Sequence, residues 1–420
     1  MKKKCLTFLL ALLVLAMSLP VSAEGFSGTE QNEAKAALTK IFRMSENIET
    51  PNVSFAFELE PISVNKIPYD GKNMPEVNDK NVSFTSADNG AVEGGVKVIS
   101  KQSESLFDGI VWPHAGVYLY SVTEKSSVTP NLETGETVEY SKAKYDIMVY
   151  VANGENKLYV AAIGAEVIVT DGEDKEAEGA KVDGTPGDPN ISSTHSKITF
   201  TNTFTKTKGS GNPDDPNLVI SKKVVTKDGN GHDFANREKY FDFQITVEKS
   251  GTNQSASPKY VAYVMNETDG VITSDKNYSG TILTNDQYGK YIEFTSGVQK
   301  TVQLKHGEWL SFVDLEVDAS YTVTEVGTQN IAANCVQTVN GNKSNFDANS
   351  GESLTVAKTY ISTGDDSADF TNTFLPLTPV GISIDNLPFF IFIGLVLFWL
   401  LLFVALKKRE KDNSDEDSVK

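Results

Sequence analysis

Three residue types able to condense with one another recur twice in this chain in the same order: lysine, glutamate, asparagine. The first set is Lys40 in Ala37-Leu38-Thr39-Lys40, Glu124 in Ser121-Val122-Thr123-Glu124, and Asn202 in Phe200-Thr201-Asn202. The second is Lys222 in Val219-Ile220-Ser221-Lys222, Glu325 in Thr322-Val323-Thr324-Glu325, and Asn372 in Phe370-Thr371-Asn372. If desolvated together, such residues shift toward a neutral amine beside a protonated carboxylic acid, because burial disfavours both charged forms. The amine can then attack the asparagine carbonyl while the acid polarises the oxygen and relays protons. Ammonia leaves, and a Lys–Asn isopeptide bond remains.

Each residue falls in the alternating phase of large apolar neighbours: Leu38 and Phe42, Tyr120 and Val122, Phe200 and Phe204, Ile220 and Val224, Tyr321 and Val323, Phe370 and Phe374. Side chains of a strand alternate between faces, so these polar groups are expected to point into a core. Burying them separately would cost hydration without compensation, which favours their meeting. Lys223 falls in the outward phase, so Lys222 is preferred over its neighbour.

Short alternating segments dominate the chain, among them Val53 to Leu59, Tyr145 to Val151, Phe241 to Val247 and Tyr321 to Val326. Glu33 to Phe42 begins rich in Ala, yet its Leu38, Lys40, Phe42 alternation favours a strand. Many short strands separated by turns imply an all-β protein of two tandem β-sandwiches, residues 24–207 and 218–375. Between them, 208–217 carries Gly209, Gly211, Pro213 and Pro216 and is expected to be a linker. Each unit opens on its lysine strand and closes on its asparagine strand. The expected bond therefore ties the outer edges of each sandwich, first strand to last.

Residues 1–23 are expected to be a signal peptide: Lys2 to Lys4, an apolar run from Leu6 to Leu19, then Val21-Ser22-Ala23. Residues 388–406 are long and apolar enough for a transmembrane helix. Lys407, Lys408, Arg409 and Lys411 follow at once, placing the 407–420 tail in the cytoplasm and the rest outside. Only Cys335 remains in the exported part, so an intrachain disulfide is excluded and Cys335 is expected to be a packed strand residue.

The formal net charge of −18 argues against nucleic acid as a partner. Asp171 to Glu178 is expected to be a solvated acidic loop. His114, His195, His232 and His306 accompany no nucleophile motif or zinc spacing, so no enzyme beyond a single-turnover self-reaction is expected, and no cofactor. Asp228-Gly229-Asn230-Gly231-His232-Asp233 begins like a calcium loop. Asp233 stands where an EF-hand needs Gly and Lys239 where it needs Glu, so a hairpin loop is expected and no metal.

With Thr50-Pro51-Asn52, Phe55-Ala56-Phe57 and the stretch from Ala115 to Glu124, the first unit resembles the streptococcal major-pilin isopeptide-linker family. The second unit, with His306-Gly307-Glu308 and its own triplet, resembles that family's collagen-adhesin B-type domain. The resemblance implies immunoglobulin-like sandwiches on a Gram-positive cell surface. It assigns crosslinking roles to Lys40 with Asn202 and Lys222 with Asn372, and catalytic roles to Glu124 and Glu325. It implies sortase, neighbouring pilin subunits and a host or matrix ligand as partners, besides the membrane.

Such pilins carry a sorting signal before the span. Here Leu375, Pro376, Leu377 and Thr378 match it, but Pro379 replaces the expected Gly. A cut before Pro379 would have to break a tertiary amide, which leaves two alternatives: transfer to the cell wall, or a membrane-retained adhesin that does not polymerise. Lys157, Lys175, Lys181 and Lys197 are candidates for accepting another subunit, and equally ordinary surface lysines.

Overall fold

The structure is a computed structural model that describes residues 28–171, 176–226, 235–253, 255–273, 276–375 and 387–416. The expected signal peptide, Lys175, residues 228–233, and Pro376, Leu377 and Thr378 of the sorting-like motif lie outside the described residues.

Alternation of apolar and polar residues becomes alternation of burial. Phe241–Glu248 reads buried and half-buried by turns along its whole length, and Lys144–Asn153 does nearly the same. The described residues form an all-β protein in which two sheets face each other in each of two units. In the first unit a five-stranded sheet contains Val96–Gln102, the lysine strand Thr39–Ser45 and the asparagine strand Thr199–Lys206. A seven-stranded sheet faces it and carries the glutamate strand Gly116–Thr129, with Val53–Val64 on one side and Lys144–Asn153 on the other. The second unit repeats the plan: its lysine strand Leu218–Thr226 and asparagine strand Asp366–Phe374 share a nine-stranded sheet, and its glutamate strand Ser320–Glu325 lies in a four-stranded one.

The chain from Glu33 to Leu38 is not strand; pairing begins at Thr39, where the backbone enters the ladders on both sides. The first and last strands also do not sit at the outer edges. They are direct neighbours, paired in parallel in the interior of their sheet in both units. A parallel pair cannot be joined by a tight turn, so the intervening chain supplies the remaining strands before returning.

Each unit has its own core, one built around Phe42, Phe55, Phe57, Tyr120 and Phe200 and the other around Phe241, Phe243, Tyr321 and Phe370. Cys335 is packed in the second core, where burial pushes its thiol up to about 12. Trp112 is buried in the first core.

The 208–217 segment is strapped to the second unit instead of spanning open solvent. Ser311 Oγ donates to the Pro213 carbonyl at 2.6 Å, and Asn217 Oδ1 accepts the Leu315 N–H at 2.9 Å. Contacts also join the units directly: Asn47 Nδ2 donates to Asp318 Oδ1 at 2.7 Å, and Val317 packs into the first core.

Beyond the strands, the helix Leu387–Glu416 includes a 19-residue stretch, Ile391–Arg409, of mean hydropathy 2.3 with every side chain exposed. By length and composition it can cross a bilayer.

Candidate functional site

In the first unit, register places Lys40 opposite Phe200 and Phe42 opposite Asn202. Lysine and asparagine thus lie two positions apart on neighbouring strands, both facing inward. Glu124 reaches them from the facing sheet. Lys40 Nζ donates to Glu124 Oε2 at 2.9 Å and lies 2.8 Å from Oε1. Asn202 Nδ2 donates to the same Oε1 at 2.8 Å. The Asn202 carbonyl oxygen accepts the Ser141 backbone N–H at 2.7 Å. Lys40 and Asn202 are fully buried, and the Glu124 side chain is shielded from solvent.

The second unit reproduces the register: Lys222 opposite Phe370, Val224 opposite Asn372. Lys222 Nζ lies 2.7 and 2.8 Å from the two Glu325 carboxylate oxygens. Asn372 Nδ2 donates to Oε1. All three residues are buried. Lys223 is exposed, as the alternation of its strand requires.

Aromatic rings line both centres in matching places. Phe57 is the register partner of Glu124 and Phe243 that of Glu325. Lys40 Nζ stands 4.7 Å from the Phe55 ring centroid and 5.8 Å from that of Phe57; Lys222 Nζ stands 4.4 and 5.6 Å from Phe241 and Phe243. The Phe-x-Phe spacing at 55–57 and 241–243 is the sequence signal that could have found these walls. Rings exclude water, and exclusion of water dominates the electrostatics. Burial lowers both lysines to about 8 despite the attraction of their glutamates. Burial likewise raises Glu124 above the usual carboxylate range, against the pull of Lys40. In the first centre both shifts favour transfer of the proton from amine to carboxylate.

Other residues singled out from sequence take no part in the two lysine–glutamate–asparagine contacts. Lys157 pairs with Glu33 at 2.5 Å at the surface, and Lys181 and Lys197 are exposed. His195 is buried beside Ser100 Oγ, and His306 Nδ1 accepts the Val224 N–H at 2.9 Å. Leu375 donates its N–H to the Asn330 carbonyl at the end of the second unit. Among the described residues no group of three or more His, Cys, Asp or Glu side chains could hold a metal ion. Asp171, expected in a solvated loop, is half-buried and bound to three backbone N–H groups near Asn202. No local pattern in the sequence signals that contact.

Residues 36–205 match the model of the Spy0128-like isopeptide containing domain. Residues 216–374 match a model described as Domain of unknown function (DUF7601). Solved structures similar to the chain include the major pilin from Streptococcus pyogenes, at 21% identity over 82% of this chain and 100% of that one, with a TM-score of 0.32. Another is the major pilin protein T3.2 from Streptococcus pyogenes serotype GAS13637, at 18% identity over 81% and 98%, with a TM-score of 0.30. A third is the pilus-presented adhesin Spy0125 (Cpa), at 10% identity over 81% and 99%, with a TM-score of 0.26. No curated protein sequence matches the chain.

Proposed function

We propose that this protein is a structural subunit of a Gram-positive cell surface, of pilin or stalk type, and that each sandwich closes itself with one isopeptide bond. Lys40 joins Asn202 and Lys222 joins Asn372, with Glu124 and Glu325 as the proton relays. The observation that carries this reading is the duplicated geometry: an amine and an amide held on one buried carboxylate, at the same register offset, in two different cores.

The Lys40 proton passes to Glu124, and the freed amine adds to Asn202 Cγ. A C–N bond forms and the carbonyl oxygen takes the charge. Glu124 gives its proton to Nδ2 and takes up the one that the attacking nitrogen sheds, the Cγ–Nδ2 bond breaks, and ammonia departs. Amine plus primary amide becomes secondary amide plus ammonia, with no oxidant or cofactor. Burial excludes the water that would solvate the lysine charge.

Tension entering one of the paired terminal strands passes through the bond into the other, so the sheet does not peel. The apolar part of the helix Leu387–Glu416, followed within the same helix by Lys407, Lys408, Arg409 and Lys411, anchors the protein in the membrane before any processing. Pro379, where a sortase motif has Gly, favours a second reading in which the protein stays in the membrane as an adhesin.

Intact mass tests the crosslinks. Each bond removes one ammonia, so the exported part should be lighter than its sequence mass by about 17 Da per bond. Glu124→Ala and Glu325→Ala should each restore one increment. An unreduced mass would overturn the reading.

A further inference from the structure

Asp171 follows the strand Leu158–Val169 and spends its whole carboxylate on the neighbourhood of Asn202. Oδ1 accepts the N–H of Lys142 at 2.7 Å and of Ala143 at 2.9 Å. Oδ2 accepts the N–H of Thr201, the residue before Asn202, at 2.9 Å. The Ser141 hydroxyl lies 2.8 and 2.7 Å from the two oxygens. One side chain thus fastens the 141–143 turn to the asparagine strand. The N–H of that turn not held by Asp171, that of Ser141, is the one that meets Asn202 Oδ1 at 2.7 Å.

Resting on the isopeptide reading above, we propose that Asp171 is a positioning residue for the first crosslink: it aims the Ser141 N–H at the carbonyl oxygen that becomes negative when the Lys40 nitrogen adds to Cγ. A donor fixed before reaction stabilises that oxyanion without reorganising. It also turns the amide so that its nitrogen, the leaving group, faces Glu124, to which it already donates. Bond making and breaking stay as described; the donor gives up no proton.

The second centre supplies the contrast. Asn372 Oδ1 is buried, and no described residue donates to it. The two crosslinks of one molecule therefore differ in this donor, and the second serves as an internal reference for the first.

The test uses the full chain, synthesised cell-free into detergent micelles, quenched at intervals and digested. Mass spectrometry follows the joined peptide of Lys40 and Asn202 beside that of Lys222 and Asn372. Asp171→Ala should slow the first bond by about tenfold or more, since loss of one oxyanion donor costs roughly a hundredfold or more in other acyl transfers. The second bond should keep its rate. Asp171→Asn, which retains a carbonyl oxygen for the Lys142 and Ala143 N–H groups, should fall between.

A positioning role predicts the same slowing at every pH. Asp171 also acts on Lys40 through its charge, and if that were its contribution the alkaline limb of the rate profile would move instead, overturning the proposal. A first bond formed at the wild-type rate in both variants would overturn it too. If Asp171→Ala fails to give a protease-resistant first unit, Asp171→Asn decides alone: slowing supports the proposal and an unchanged rate ends it. Two controls separate the levels: absence of the first bond from the parent chain refutes the isopeptide reading itself, and a first bond that persists in Glu124→Ala refutes the relay role of Glu124.

Discussion

Asn202 stands directly opposite Phe42 on a parallel neighbouring strand, two residues beyond the partner of Lys40. Asn372 bears the same relation to Val224. Both pairs lie across a parallel ladder, so the chain between lysine and asparagine crosses through the facing sheet before returning and cannot close in a tight hairpin turn.

Opening either ring should cost stability. By analogy with a disulfide closing a loop of this size, Asn202→Ala or Asn372→Ala should remove about 5 kcal/mol and lower the midpoint of the affected unit by roughly 10–20 °C. Calorimetry of each variant against the parent checks this, and coincident traces would contradict it.

The reactive state of each centre holds one proton shared between lysine and glutamate. Above the lysine value of about 8 the pair loses that proton and with it the acid, so bond formation should slow there. In the first centre, where burial raises Glu124, it should slow again in acid, where that carboxylate keeps a proton and the amine stays charged. The rate of appearance of each joined peptide across pH measures both limbs, and a rate still climbing well above the lysine value would disagree.

Without crosslinks, the buried lysines become a pH-dependent liability. In the Asn202→Ala, Asn372→Ala protein both folded values lie near 8, below the 10.5 of an exposed lysine. Between those values the unfolded chain binds more protons, so stability contributed by these groups rises with pH and is least present below about 8. Raising the pH from about 8 toward 9.5 should therefore narrow the gap in melting temperature between variant and parent, whose amides do not titrate. A widening gap would mean that the amines are not desolvated.

Lys222 and Lys223 make a paired control. Lys222→Ala should abolish the second mass loss and leave a buried Glu325 without its cation. Lys223→Ala, at an exposed position, should leave both mass losses intact and change stability by less than about 0.5 kcal/mol. Fragmentation of the joined peptide locates the bond independently.

Cell fractionation distinguishes the two surface readings. Release by a cell-wall hydrolase with loss of the apolar helix supports wall attachment. Extraction by detergent with the helix intact supports membrane retention, the outcome favoured by Pro379.

Alternation alone was enough to sort inward from outward positions, because a strand with one buried face tolerates no slip of register. That is why Lys222 and Lys223, chemically alike, separate cleanly. Contacts between distant residues were not legible. Asp171 lies far along the chain from both Ser141 and Thr201, and no local pattern encodes their meeting. The parallel adjacency of the terminal strands was likewise hidden, since alternation says which face a residue occupies and nothing about its neighbouring strand. One local signal was readable and was missed: Asn340-Gly341, with φ of 49° and 78°, makes the tight turn of the hairpin Ile331–Val339 and Asn342–Ala348. The glycines and prolines of 208–217 suggested a tether, whereas Asn217 and Pro213 engage the second unit through hydrogen bonds that composition does not reveal.

The side-by-side placement of the terminal strands also divides each unit into a spine and bystanders. In a riveted chain, pulling force enters at Lys40 and leaves at Asn202, then enters again at Lys222 and leaves at Asn372; residues 41–201 and 223–371 lie in slack behind the rivets. Those stretches can lengthen, shed loops or change their surface chemistry without weakening the cable. Variation at exposed positions is thereby freed from the part that must not break.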